Sequence, residues 1–120
     1  MKKRNLVTMV VLLMCTFASL LCLGDANAGN VVHGTVAPGE VEKYSIALKD
    51  GDTTQIIVRG TGEGGDIDCF LLDFQERVVD VDEDSTNTCF LNVTPDGDEL
   101  FEIRVVNNGR RTVYFAMTAL

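Results

Sequence analysis

The sequence has no tryptophan and only one histidine, His33. The lack of tryptophan argues against a site that stacks sugar rings on indole side chains. A single histidine without an unpaired cysteine does not supply the ligands of a usual zinc site, so we interpret His33 as a surface strand residue. The only serines beyond residue 28, Ser45 and Ser85, lie outside any Gly-x-Ser-x-Gly turn. These shortages disfavour a hydrolase.

Positive charge is scarce as well. Beyond residue 28 the chain has seven Lys and Arg against seventeen Asp and Glu. This balance argues against nucleic acid or an anionic membrane as the partner and is compatible with cations, basic proteins or simple solubility. The glycines between Gly60 and Gly65 are not followed by Lys-Ser or Lys-Thr and a helix, so they do not form a phosphate-binding loop.

The amino-terminal segment has the organisation of an export signal. Three cations at positions 2–4 precede an uncharged apolar run at 6–23, and a small-x-small site ends at Ala28. This order predicts a signal peptide over residues 1–28 and a mature chain that begins at Gly29, secreted or periplasmic, with no membrane attachment after cleavage. A retained anchor is the alternative, because the run is nearly long enough to span a bilayer.

Cleavage would leave two of the four cysteines, Cys69 and Cys89. An even number of cysteines in an exported chain predicts a disulfide between them. The loop of about 20 residues that it closes gives roughly 3 kcal/mol of stability in the chain-entropy model. The alternative is a pair of reduced thiols in the core.

The dominant hydrophobic period beyond residue 28 is two, which is typical of β-strands. Short turns rich in Gly, Asp, Asn and Pro separate the alternating segments, and no stretch offers a three-turn helix with an apolar stripe. The eight predicted strands are residues 31–37, 41–48, 53–59, 66–72, 76–81, 86–93, 100–107 and 111–119. Each strand has one apolar face, so two antiparallel sheets must pack face to face, and residues 29–120 are expected to form one all-β sandwich domain.

The order of these features resembles the bacterial pre-peptidase C-terminal domain. The segments that carry the resemblance are 34–41, 44–46, 48–52, 66–73 and 101–105, followed by an aromatic strand at Tyr114. The two cysteines depart from the family pattern, because Cys69 falls where the family usually has a leucine-like residue. The resemblance implies a β-sandwich of jelly-roll type and an accessory or binding role, since such domains are usually appended to secreted hydrolases. It supports the fold more strongly than the function.

An acidic run provides the candidate metal ligands. Asp80, Asp82 and Asp84 alternate along the chain, and oxygen ligands so spaced can converge on calcium, although the run is not an EF-hand loop. Asp66 and Asp68 form a second candidate pair on one side of a strand. The resemblance implies that such acidic loops can bind calcium. The simpler interpretation is a solvated acidic turn.

Phe70 and Phe90 are the candidate contact residues. Each follows a cysteine directly, so inward cysteines would turn both rings outward. The predicted disulfide suggests that the two rings lie near each other, and exposed aromatic pairs are often contact sites. A covering segment is the alternative.

The leading functional hypothesis is a non-catalytic exported binding or accessory module, stabilised by calcium, that contacts an extracytoplasmic protein or polymer. The alternative is an envelope structural subunit or a protease inhibitor that acts through a sheet edge. A hydrolase is strongly disfavoured. The sequence does not identify the ligand.

Overall fold

The structure is a computed structural model that describes residues 10–12, 31–62 and 64–120. All of the regular structure in these residues is β-strand, as predicted. The strands are β1 (Val10–Leu12), β2 (Val31–Val36), β3 (Val41–Leu48), β4 (Thr54–Gly60), β5 (Ile67–Leu72), β6 (Val78–Asp82), β7 (Thr88–Val93), β8 (Glu99–Asn107) and β9 (Val113–Ala119). Strands β2 to β9 match the eight predicted strands to within two residues at each end. Strand β1 falls inside the predicted signal peptide, whereas the predicted cleavage site at Ala28 and Gly29 lies outside the described residues.

The strands form two antiparallel sheets. The five-stranded sheet has the order β1-β3-β8-β5-β6, and the four-stranded sheet has the order β2-β9-β4-β7. The predicted two-sheet antiparallel sandwich is therefore confirmed. In the described part of the chain, no helix is long and apolar enough to cross a membrane.

The core lies between the two sheets and follows the predicted alternation. In β3, Tyr44, Ile46 and Leu48 are buried, while the residues between them are only partly buried. The described core cluster runs from Val32 to Ala119, so it belongs to the predicted mature chain. Burial of large aliphatic side chains contributes about 1.5–3 kcal/mol each, and this is what holds the two sheets together.

The disulfide joins Cys69 on β5 to Cys89 on β7, with 6.1 Å between their Cα atoms. Both residues are fully buried, and β5 and β7 belong to different sheets. The predicted pairing is therefore present, and the bond links the sheets to each other across the core.

A close contact near the opposite side of the core requires glycine. The Tyr44 and Phe115 rings meet edge to face, with centroids 6.1 Å apart. Gly34 lies beneath them, and a Cβ atom at this position would overlap the Tyr44 hydroxyl and the Phe115 ring. Burial, and then the charge of Glu42, raise the pKa of Tyr44 to about 12, so this hydroxyl remains protonated at physiological pH.

One buried polar side chain, Asn107, fixes an end of the sandwich. Its Nδ2 donates to the carbonyl oxygens of Val36 (2.9 Å) and Arg111 (2.7 Å), and its Oδ1 accepts from the Gly109 N–H (2.8 Å). These bonds connect the end of β2 to the turn between β8 and β9. Because these partners replace water, the burial of the amide costs little free energy.

Candidate functional site

The predicted metal ligands Asp80 and Asp82 lie on β6, where they cap the edge of β7. The Asp82 Oδ2 accepts from the Phe90 N–H at 2.8 Å, and the Asp80 Oδ2 accepts from the Asn92 N–H at 2.7 Å. The second oxygen of each carboxylate accepts a nearby N–H of the same loop or strand, from Val81 or Asp84. We refer to this side of the sandwich as the capped edge.

The register of the strands explains why aspartates perform this role. Asp80 and Asp82 pair with the inward residues Leu71 and Cys69, so their side chains lie on the inner face of an edge strand. The Gly60 N–H donates to the Asn87 carbonyl, and because bonding positions alternate along an antiparallel ladder, the amides of residues 88, 90 and 92 are directed away from β4. The two carboxylates thus satisfy β7 amides that would otherwise be open to another strand.

Asp80 and Asp82 do not form a three-ligand metal site with Asp84, although Asp82 accepts from the N–H of Asp84. The Asp84 Oδ1 accepts from the Thr86 hydroxyl at 2.7 Å and from the Thr86 N–H at 3.1 Å. These bonds hold the pKa of Asp84 below its usual value. Across the described residues, no group of three His, Cys, Asp or Glu side chains is arranged to hold a metal. Calcium binding by the acidic run stays a prediction.

The second predicted pair, Asp66 and Asp68, is part of a crowded acidic group. Burial, followed by the charges of Asp66 and Glu83, raises the pKa of Asp68, and a side-chain hydrogen bond from Asn108 opposes the shift. Asp82 adds a smaller repulsive contribution. The carboxylate at position 68 therefore bears an electrostatic cost that a proton or a cation would relieve.

Phe70 and Phe90 face away from the core, as predicted, but they do not share a surface. Because the disulfide crosses from one sheet to the other, the residues that follow its cysteines project from the outer faces of different sheets. Phe90 is 46% exposed, while Phe70 is only partly exposed beside Val81 and Arg104. The expectation that the two rings lie near each other is wrong.

The outer face of the four-stranded sheet has an unusual composition for such an acidic chain. None of its outward positions in the four described strands is Asp or Glu, whereas the outer face of the five-stranded sheet includes Asp68 and Glu102. We name it the acid-free face. Its residues are Val31, His33, Thr35, Gln55, Ile57, Arg59, Thr88, Phe90, Asn92, Tyr114, Ala116 and Thr118.

A largely apolar row crosses the acid-free face. Phe90 pairs with Ile57, Ile57 pairs with Thr118, and Thr118 pairs with Val31, so the row includes one residue from each strand. Val31 and Phe90 are close to half exposed. Phe90 is a predicted contact residue, whereas the rest of this face was not predicted. Comparing the outward residues of all the predicted strands would have revealed the missing carboxylates.

The side opposite the capped edge is formed by β2 and β3. Strand β1 pairs antiparallel with β3 there, with Val10 opposite Ala47 and Leu12 opposite Ser45. A small apolar groove lies beside this edge, with Val32, Ile46 and Met117 among its lining residues. At the start of β3, burial and the charge of Glu40 raise the pKa of Glu42.

Comparison with known proteins finds similarity in structure but not in sequence. No protein-family model and no curated protein matches the chain. The crystal structure of the pre-peptidase C-terminal domain of collagenase from Bacillus anthracis is similar with a TM-score of 0.58 and 12% identity, covering 78% of this chain and 90% of that one. The Yersinia pseudotuberculosis-derived mitogen is similar with a TM-score of 0.57 and 12% identity, covering 75% and 82%.

At this level of identity the comparisons show the fold alone. They confirm the sequence-based resemblance: the chain has a β-sandwich like that of a pre-peptidase C-terminal domain. They assign no ligand and no functional residue.

Proposed function

We propose that the chain is an exported, non-catalytic accessory module that binds an uncharged region of an extracytoplasmic protein or polymer through the acid-free face. The observation that carries this proposal is the distribution of charge. Seventeen acidic residues lie beyond residue 28, and the outward positions of β2, β4, β7 and β9 contain none of them.

The physical reason is desolvation. A carboxylate that is buried on docking loses its hydration and costs several kcal/mol unless a cation pairs with it. A face that contains threonine, glutamine and asparagine around an apolar row avoids this cost and still offers hydrogen bonds. The exposed parts of Val31 and Phe90 would supply the apolar contact, and Arg59 is the only Lys or Arg on the face.

The proposal is tested by adding a carboxylate to the centre of the face. The Thr118→Glu variant and wild type are sedimented with the insoluble envelope fraction of the producing cells and with insoluble collagen, a defined probe suggested by the collagenase origin of one structural relative. We expect Thr118→Glu to bind at least about tenfold more weakly, a loss of roughly 1.4 kcal/mol. Leu100→Glu is the matched control, because Leu100 is exposed on the other sheet.

A photo-crosslinking amino acid at position 90 provides a second readout. It should capture a partner, whereas the same group at Phe74, which is more exposed and lies in the turn after β5, should not. Equal sedimentation of Thr118→Glu and wild type, or equal loss in Leu100→Glu, would contradict the proposal.

Calcium stabilisation remains part of the proposal. Its motivation is the electrostatic cost at Asp68, since the described residues hold no group of three carboxylates arranged as a metal site. A divalent cation that binds only the folded state raises its stability by mass action. The expected result is a higher melting temperature in excess calcium than in chelator for wild type, with the difference lost in Asp68→Asn. Coincident wild-type melts would remove calcium from the proposal.

A further inference from the structure

The edge of β3 has backbone groups directed away from the sheet. The Asn107 N–H donates to the Glu40 carbonyl at 3.1 Å, which marks position 40 as a bonding position toward β8. Bonding positions alternate along the antiparallel β3–β8 ladder, so the amides and carbonyls of Lys43, Ser45 and Ala47 are directed outward. We name this segment, 43–47, the open edge.

In this structure the open edge is paired with a strand that export would remove. Ala47 and Ser45 lie opposite Val10 and Leu12 of β1, within the predicted signal peptide. Cleavage after Ala28 would take β1 away and leave these backbone groups unpaired. The described core residues extend from Val32 to Ala119 and all lie within the predicted mature chain.

We propose that the open edge of the mature chain binds an extended segment of an exported partner protein by antiparallel strand addition, with an apolar residue opposite Ile46 and a basic residue opposite Glu42. The first requirement comes from the groove. Ile46 is an inward residue, so a residue paired with it has its side chain on the inner side of the sheet, above the groove lined by Val32 and Met117.

The second requirement comes from charge. Glu42 lies on the same side of β3 as Ile46 and is near Glu40. Two carboxylates are therefore close to the beginning of the open edge. In an antiparallel strand, the residue opposite Glu42 comes four positions after the residue opposite Ile46. A Lys or Arg there would pair with Glu42 and offset its repulsion with Glu40.

A second copy of the chain does not meet these requirements. If β3 paired with β3 of a second copy and the inward residues of both strands stayed on one face, Glu42 would lie opposite an inward residue of the other β3. Those inward residues are Glu42, Tyr44, Ile46 and Leu48, and none of them is basic. The mature chains also carry a large excess of negative charge and repel each other. A partner protein is therefore the better occupant.

The test uses the chain 29–120 and a synthetic peptide of residues 8–15 with Cys15→Lys and two added amino-terminal lysines for solubility. In the β1 register this peptide places Val11 opposite Ile46 and the new lysine opposite Glu42. Fluorescence anisotropy should show binding to the wild type. A peptide with Cys15→Glu, or one with Val11→Asp, should bind at least about tenfold more weakly.

The matched protein variants are Ser45→Pro and Ser45→Thr. Proline removes an outward N–H but no β3–β8 hydrogen bond, so an edge strand tolerates it. Ser45→Pro should weaken peptide binding by about tenfold or more, while Ser45→Thr should not. Hydrogen exchange of the wild-type protein provides a readout that does not depend on any substitution. Added peptide should slow amide exchange at Ser45 and Ala47.

Three results would overturn the proposal: no exchange protection at the open edge, equal binding of the Cys15→Lys and Cys15→Glu peptides, or a wild-type dimer that Ser45→Pro dissociates, which would identify a second copy as the occupant. The site is independent of the acid-free face. Thr118→Glu should leave peptide binding unchanged, so failure of one proposal is distinguishable from failure of the other.

Discussion

Replacing Asp82 by alanine and by asparagine separates two roles for this residue. If Asp82 caps the β7 edge, the important property is an oxygen that accepts the Phe90 N–H at 2.8 Å. Asparagine keeps such an acceptor, whereas alanine removes it. If Asp82 binds calcium, the important property is its negative charge, which both substitutions remove.

The geometry sets the expected size of the effect. A hydrogen bond to a charged group contributes about 1.5–3 kcal/mol, and the partial exposure of Asp82 places this one toward the lower end. We expect Asp82→Ala to lower the free energy of unfolding by about 1–2 kcal/mol and Asp82→Asn by less than half as much. For a domain of this size, 1 kcal/mol corresponds to about 4–8 °C in melting temperature.

The assay is urea denaturation of both variants and wild type, in calcium and in chelator, with hydrogen exchange at Phe90 as a local readout. Asp82→Ala should accelerate exchange at Phe90 and lose the same stability in both buffers. Equal destabilisation by alanine and asparagine, present only in calcium, would refute the capping role and restore Asp82 as a metal ligand.

Four further predictions concern the fold. Replacing Cys69 and Cys89 together by alanine should cost about 3 kcal/mol in urea denaturation, from the loop of 20 residues that the bond closes; an unchanged stability would contradict this. Asn107→Ala should cost about 3 kcal/mol, because it removes three hydrogen bonds from a buried site; a loss below about 1 kcal/mol would show that water replaces the amide. Gly34→Ala should lower the melting temperature, since its Cβ would overlap the Tyr44 hydroxyl and the Phe115 ring; an unchanged melt would show that these side chains move aside. The raised pKa of Asp68 means that its charge destabilises the folded state at neutral pH and that this cost disappears as pH falls below the unfolded value, so Asp68→Asn should stabilise the chelated protein at pH 7 but not near pH 3.

The sheets were predictable because their signal is local. Alternation of apolar and polar residues within each segment specifies a strand with one buried face, and Gly, Asp and Asn mark where it ends. The boundaries of β2 to β9 therefore agree closely with prediction. The pairing of Cys69 with Cys89 was also predictable, because they are the only two cysteines of the predicted mature chain.

The contacts between sheets were not predictable in the same way. Local alternation predicts that Cys69 points inward, but it does not predict which sheet contains Cys69. Because Cys69 and Cys89 lie in different sheets, Phe70 and Phe90 project from different faces. The roles of Asp80 and Asp82 depend likewise on β7 lying beside β6 in space. Their spacing fits a metal loop and an edge cap equally well, and only the folded chain shows that both carboxylates accept β7 amides.

The two sides of the sandwich differ in whether the backbone groups at the strand edges have hydrogen-bond partners. At the capped edge, carboxylates occupy the free β7 amides, and the disulfide from Cys89 fixes that strand to the other sheet. At the open edge, removal of β1 would free the outward groups of Lys43, Ser45 and Ala47 beside an apolar groove. An edge strand left open in this way invites aggregation unless a partner occupies it. We therefore expect strand addition on the β2–β3 side rather than at the β7 amides, which favours docking of one partner segment over growth of the sheet in both directions.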